Sequence, residues 1–90
     1  MDMDLKLFRS KLKAVSGGSR LEILRFLKRR RNATVSAIAE GVGRSVQTVS
    51  SHLALLALHG IVKRRRRGKY VSYRLSIPQE QPVKYILSLL

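Results

Sequence analysis

Cysteine is absent from the 90 residues. That removes disulfides, thiolate metal sites and cysteine redox chemistry, and it leaves the compartment open. Acids are nearly as scarce, with five Asp and Glu against 19 Lys and Arg. There is no paired-carboxylate motif, no glycine loop to cradle a phosphate and no nucleophile set beside a base, so the chain is not expected to be an enzyme. No apolar run approaches the roughly 20 residues needed to span a bilayer. The opening MDMDLKLF is acidic and polar, and no signal peptide is expected there. Tryptophan is missing, and the two prolines, Pro78 and Pro82, both fall near the end.

What is present is positive charge, a formal +14 at pH 7. Self-repulsion of that size opposes a compact state and implies a polyanionic partner. Nucleic acid and an anionic membrane surface are the two candidates. A membrane would need an amphipathic helix with one basic face, whereas the densest charge here lies in a glycine-containing, strand-like stretch. Hydrophobic residues make up 44% of the chain, which is the composition of a folded protein. Ninety residues suggest one domain, residues 1–90. A chain of this size buries only a little over about 60% of its unfolded surface, so a partner subunit would help it.

Leu5, Phe8, Leu12 and Val15 recur at helical spacing and predict an amphipathic helix over residues 3–15. Ser16–Gly18 breaks it. Ser19, with Glu22 three residues on, has the form of a capping box opening a second helix. Leu21, Leu24 and Leu27 form that helix's stripe, Ile23 and Phe26 widen it, and Arg29–Arg31 sit at its C-terminal end, where the helix dipole favours cations. A short strand is predicted at Thr34–Val35. A brief helix follows over Ala37–Val42, capped by Ser36 and stopped by Gly43. The next helix, Ser45–His59, has Ser45 as N-cap, Val49, Leu53 and Leu56 on its inner face and Gly60 as its stop.

The period then changes from 3.6 to 2. In KRRRRGKYVSYRL, residues 63–75, four arginines precede a glycine, and Val71, Tyr73 and Leu75 alternate with Tyr70, Ser72 and Arg74. Ile61–Arg66 is the partner strand and Arg67-Gly68 the turn. Flanked on both sides by strand character, the run reads as a rigid hairpin rather than as a nuclear-import signal. Tyr73 falls on the core face of its strand, so Tyr70 alone is available to stack a base, which makes a weak single-strand platform. Pro82 opens a last short helix, residues 82–90.

Two short helices around a glycine turn, followed by a hairpin, make a winged helix-turn-helix: an α+β, mainly helical fold. SRLEILRFL (Ser19–Leu27), TVSAIAEGVGRSVQTVSSHLALLALHGIV (Thr34–Val62) and RRRRGKYVSYRL (Arg64–Leu75) resemble, in order and spacing, the ArsR-type family of prokaryotic transcriptional repressors. The likeness spans roughly residues 12–76. It implies a cytoplasmic, nucleoid-associated homodimer that binds double-stranded DNA, with N- and C-terminal helices for dimerisation. Metal-sensing members carry cysteines in the helix at Ala37–Val42, or His, Asp and Glu in a C-terminal helix. Here SAIAEGV offers only Glu40 and PVKYILSLL offers nothing, so no metal switch and no cofactor are expected. Val46 and Gln47 at the start of the recognition helix, and Ser51 before the histidine, also depart from the family pattern, so an operator cannot be copied across. Ala54, Ala57 and Leu58 make an unusually apolar outer face that needs a cover.

With Val49 pointing inward, about 100° per residue turns Gln47 and Ser51 most directly outward, with Thr48 and Ser50 on the flanks. Gln can bond bidentately to adenine, while Ser and Thr reach base edges or phosphates. Arg44 precedes the helix at a phosphate-contacting position, next to Ser45. His52 lies about 60° from Val49 and reads as a packed or phosphate-touching residue. His52 and His59 have no third ligand for a metal. Arg64, Arg65, Arg66, Arg67 and Lys69 near the hairpin tip can reach phosphates or enter a narrow minor groove. Leu5, Phe8 and Leu12 of the first helix, and Val83, Ile86, Leu87 and Leu90 of the last, are expected to pair across a two-fold axis. The alternative is a chromatin-like DNA-coating protein of low sequence specificity, because the charge exceeds what operator contact requires.

Overall fold

The computed structural model describes residues 4–90. Asp4 opens the first helix, α1 (Leu5–Val15), by accepting hydrogen bonds from the backbone N–H of Lys6 and Leu7 at 3.0 and 3.2 Å. Residue 3, where the helix was expected to start, lies outside the described residues. Only the C-terminal turn of α1 enters the core, through Ala14 and Val15. The second helix, α2 (Gly18–Arg29), starts earlier than predicted. Gly17 is its N-cap with no side-chain bond, so the Ser19–Glu22 capping box does not form. Glu22 pairs instead with Arg44, 3.1 Å away. Ile23, Leu24 and Leu27 are its buried face, while Leu21 is only half-buried.

Strand β1 is Ala33–Thr34, one residue ahead of the predicted position. Thr34, not Ser36, caps α3 (Val35–Val42), its hydroxyl accepting from the Ala37 N–H at 3.2 Å. Gly43 ends α3 at φ 69°, a left-handed conformation that glycine takes without a Cβ penalty. Helix α4 (Val46–Leu58) is capped by Ser45 and followed by Gly60 at φ 70°. Strands β2 (Val62–Arg67) and β3 (Tyr70–Leu75) form the hairpin, turning at Gly68-Lys69. The turn thus lies one residue later than predicted. The sheet is antiparallel in the order β1-β3-β2. The last helix, α5 (Val83–Leu89), packs back on α1 and α2. No helix among the described residues is long and apolar enough to cross a membrane.

One core joins α2, α4, the sheet and α5 through Leu24, Leu27, Leu53, Leu56, Ile61, Val62, Tyr73 and Val83. Gln79 fixes the exit from β3, its amide nitrogen donating to the carbonyls of Ile61 and Ser76 at 2.8 and 2.7 Å. Lys28 donates to the Leu87 carbonyl at 2.8 Å and so ties the end of α5 to α2.

Gly41, inside α3, faces the half-buried Phe26 ring, and a Cβ there would overlap it, with Phe26 Cδ2 only 2.7 Å away. Helix propensity alone would favour alanine by about 1 kcal/mol. Overpacking costs about 1–3 kcal/mol and opposes that gain. Gly41→Ala is therefore expected to lose a net of up to ~2 kcal/mol, read as a lower denaturant midpoint at unchanged slope. Adding Phe26→Leu should restore part of the loss. A stabilised Gly41→Ala would show that the ring yields freely.

Candidate nucleic-acid interface

Helix α4 presents its polar face to solvent because Val49, Leu53 and Leu56 are wholly buried beneath it. Ser45, Gln47, Thr48, Ser50 and Ser51 are all exposed. Two of the five hydroxyl and amide groups are already engaged. The Ser45 hydroxyl accepts from the Thr48 N–H at 3.1 Å and donates to the Thr48 hydroxyl at 2.9 Å. Gln47, Ser50 and Ser51 make no side-chain hydrogen bond within the described residues and keep their full donor and acceptor capacity. Arg44 is not a free cation before the helix, since its guanidinium is held by Glu22 across the α2–α4 junction. Both partners of that pair are half-exposed, so it contributes little stability and can exchange for a phosphate.

His52 is half-buried, with Nδ1 3.4 Å from a guanidinium nitrogen of Arg20. Arg20 also donates through Nε to the Ala14 carbonyl at 2.6 Å, linking α4 to the end of α1. Burial first, and then the charges of Arg20 and Arg44, hold the imidazole below its usual 6.5. The neutral ring therefore offers Nδ1 as an acceptor to Arg20. The unfolded chain takes up this proton near the usual value and the folded chain only at lower pH. Stability from this site is full above about pH 6.5 and is lost as the pH falls through the folded pKa. Denaturant midpoints should decline over that interval, and His52→Gln should flatten the decline. An identical decline in both proteins would place the titration elsewhere. His59 is no partner to His52, because its Nδ1 faces the Leu55 carbonyl at 3.2 Å. Among the described residues, no three His, Asp or Glu cluster as metal ligands.

The hairpin register sorts its cations. Directly paired residues point to the same face of a sheet. Val62, Arg64 and Arg66 therefore share one face with Leu75, Tyr73 and Val71, the face that carries the core. Lys63, Arg65 and Arg67 share the other with Arg74, Ser72 and Tyr70. All four arginines and Lys69 are exposed. Arg66 Nε donates to the Gly68 carbonyl at 3.0 Å and stiffens the turn, and Lys69 Nζ lies 5.7 Å from the centre of the Tyr70 ring. Gly68 takes φ 56°, as a two-residue hairpin turn requires.

The terminal helices depart from expectation. Val83 and Leu87 are buried inside their own subunit, and Phe8, Ile86 and Leu90 are half-buried. None of the last helix's expected interface side chains is fully open to a partner, because α5 spends that stripe on α2 and the core. Leu5 and Leu12 are exposed at 69% and 41%. The open apolar groups of α5 are instead Tyr85 and Leu89, at 63% and 68%. Leu58 remains 79% exposed at the end of α4, uncovered within the subunit. Tyr85 and Leu89 were missed because they lie off the stripe that the apolar period picks out.

The family model designated HVO_A0114 matches residues 17–80. No curated protein matches the chain. Among solved structures, HlyU from Vibrio cholerae N16961 superposes at TM-score 0.81 and 29% identity, over 99% of this chain and 92% of that one. The homodimeric winged helix-turn-helix DNA-binding domain Mb0332 from Mycobacterium bovis, described as a possible ArsR-family transcriptional regulator, matches at TM-score 0.79 and 30% identity, over 98% and 82%. The transcriptional repressor PagR of Bacillus anthracis matches at TM-score 0.80 and 28% identity, over 97% and 95%.

Proposed function

The chain belongs to the HVO_A0114 family and to the ArsR-type winged helix-turn-helix transcriptional regulators, and from that membership we propose that it is a dimeric, sequence-specific repressor of transcription. It acts in the cytoplasm on nucleoid DNA, without a bound metal and without catalytic activity. One observation carries the reading. The uncommitted polar groups of α4, Gln47, Ser50 and Ser51, lie on an exposed helix face followed in the chain by a hairpin whose charged residues are all cationic. Such a helix fits the major groove and reads base edges, while the hairpin holds flanking phosphates. Arg44, Ser45, Thr48 and His52 border the helix, and Arg64–Arg67 with Lys69 form the wing. The described residues act as one domain, with α1 and α5 as its dimerisation elements. The homodimeric state of the Mycobacterium bovis relative supports the dimer.

A bidentate Gln–adenine contact is worth about 1–3 kcal/mol of discrimination. Selection from a random duplex pool supplies the best site. Gln47→Ala should then lose about 1–3 kcal/mol there and much less on a scrambled duplex, by fluorescence anisotropy. Equal losses on both duplexes would favour the second reading, a DNA-coating protein of low specificity. That reading has its own support, a charge of +14 per subunit that far exceeds the cations near α4 and the wing tip.

A further inference from the structure

We propose that the solvent face of the sheet is a second phosphate-binding track, which carries the DNA flanking the operator past the wing. The inference rests on the winged-helix reading above and extends it to residues that reading leaves unused.

Lys63, Arg65 and Arg67 occupy every second position of β2 and point to one side, with Arg74 directly across from Lys63 on β3. Along a strand this row covers about 13 Å at roughly 3.3 Å per residue. Arg31, which follows α2, extends it, because Arg31 and Arg74 line one open hollow of about 510 Å³ together with Lys28. All of these side chains are exposed. None has an acidic partner within 4.0 Å among the described residues, where the two ion pairs are Lys11–Glu80 and Arg44–Glu22. Lys63 opposite Arg74 is a like-charge cross-strand pair, an arrangement that costs stability in the free protein. A row of unpaired cations with a built-in repulsion is relieved by a continuous polyanion. The row starts at the wing tip, beside Gly68, where the flanking duplex would leave the protein, and it runs toward the base of the sheet. Tyr70 and Ser72 lie on the same face and add neutral hydrogen-bonding groups. Duplex DNA is favoured over a membrane because the side chains paired with Lys63, Arg65 and Arg67 on this face are Arg74, Ser72 and Tyr70, whereas Ile77, an exposed aliphatic side chain, lies at the far end of the row in the Arg31–Arg74 hollow.

The test compares a selected duplex that ends at the wing with the same duplex lengthened by one helical turn on each side. Lengthening should tighten Kd at least about tenfold at low salt and steepen the salt slope by roughly 0.9 per added phosphate contact, about 3 per subunit for Lys63, Arg74 and Arg31. The variant K63Q/R74Q/R31Q should bind the short duplex like the unaltered protein and gain nothing from the extra length. Equal affinity and slope on both duplexes for the unaltered protein, or a length effect that survives in the variant, would overturn the proposal. So would a variant that loses binding to phosphatidylserine vesicles while keeping its preference for the long duplex. The two readings fail separately. Absence of any selective site would remove the repressor, whereas the length effect would still be read on random duplexes, where the track acts equally.

Discussion

Replacing Arg65, Arg66 and Arg67 together by alanine is expected to weaken binding to a selected operator and to a scrambled duplex alike, by about 10²-fold or more at low salt. The three side chains are exposed, and the register sends Arg66 to one face of the hairpin and Arg65 and Arg67 to the other. They therefore straddle the wing tip, and each can neutralise a phosphate without reading a base. Each phosphate no longer neutralised should lower the salt slope by about 1, up to ~3 for each wing engaged. The fold should survive, since the only internal side-chain bond removed among the described residues is the exposed one from Arg66 to the Gly68 carbonyl. If the wing enters a narrow minor groove, the loss should be greatest on A·T-rich flanks. An unchanged salt slope would mean that the arginines are merely solvated and that the hairpin is no DNA-contacting wing.

The second large effect concerns assembly. Leu12→Glu combined with Leu89→Glu should convert a dimer of about twice 10.2 kDa into a monomer in sedimentation equilibrium at micromolar concentration. Both positions are exposed in the subunit, at 41% and 68%, so charge there leaves the subunit's own core intact. Val83→Glu would not be a fair test, because Val83 is buried and its loss would unfold the subunit. Uncoupling two half-site contacts forfeits the avidity of a linked pair, about 10²–10⁴-fold in DNA affinity. A monomeric unaltered protein would remove the dimer, and a double variant that stays dimeric would move the interface away from α1 and α5.

Much of this architecture is legible without coordinates. The Val49, Leu53 and Leu56 period orients α4, and that alone turns Gln47 and Ser51 outward. Gly43 and Gly60 end their helices as left-handed residues, and the change to a two-residue period locates the hairpin to within one position. Local chemistry determines each of these. What was misread depends on distant partners. Ser19 and Glu22 have the spacing of a capping box, but Glu22 is drawn to Arg44, 22 positions away, and α2 begins before Ser19. His52 owes its setting to Arg20, 32 positions away. The stripe Val83, Ile86, Leu87 and Leu90 shows that one side of α5 is buried, but a period cannot tell whether the same subunit or its partner does the burying. Core packing took that stripe and left Tyr85 and Leu89 outside. The two faces of the arginine run follow from register, which a one-residue shift of the turn inverts.

The repressor reading stands or falls on selectivity. The unaltered protein should be titrated by fluorescence anisotropy onto its best selected duplex and onto a scrambled duplex of equal length, at physiological salt. A specific regulator should bind the selected site about 10³-fold or more tightly, with the difference persisting as salt rises. Affinities that agree within a few-fold, with identical salt slopes, would instead describe a protein that coats DNA through charge alone.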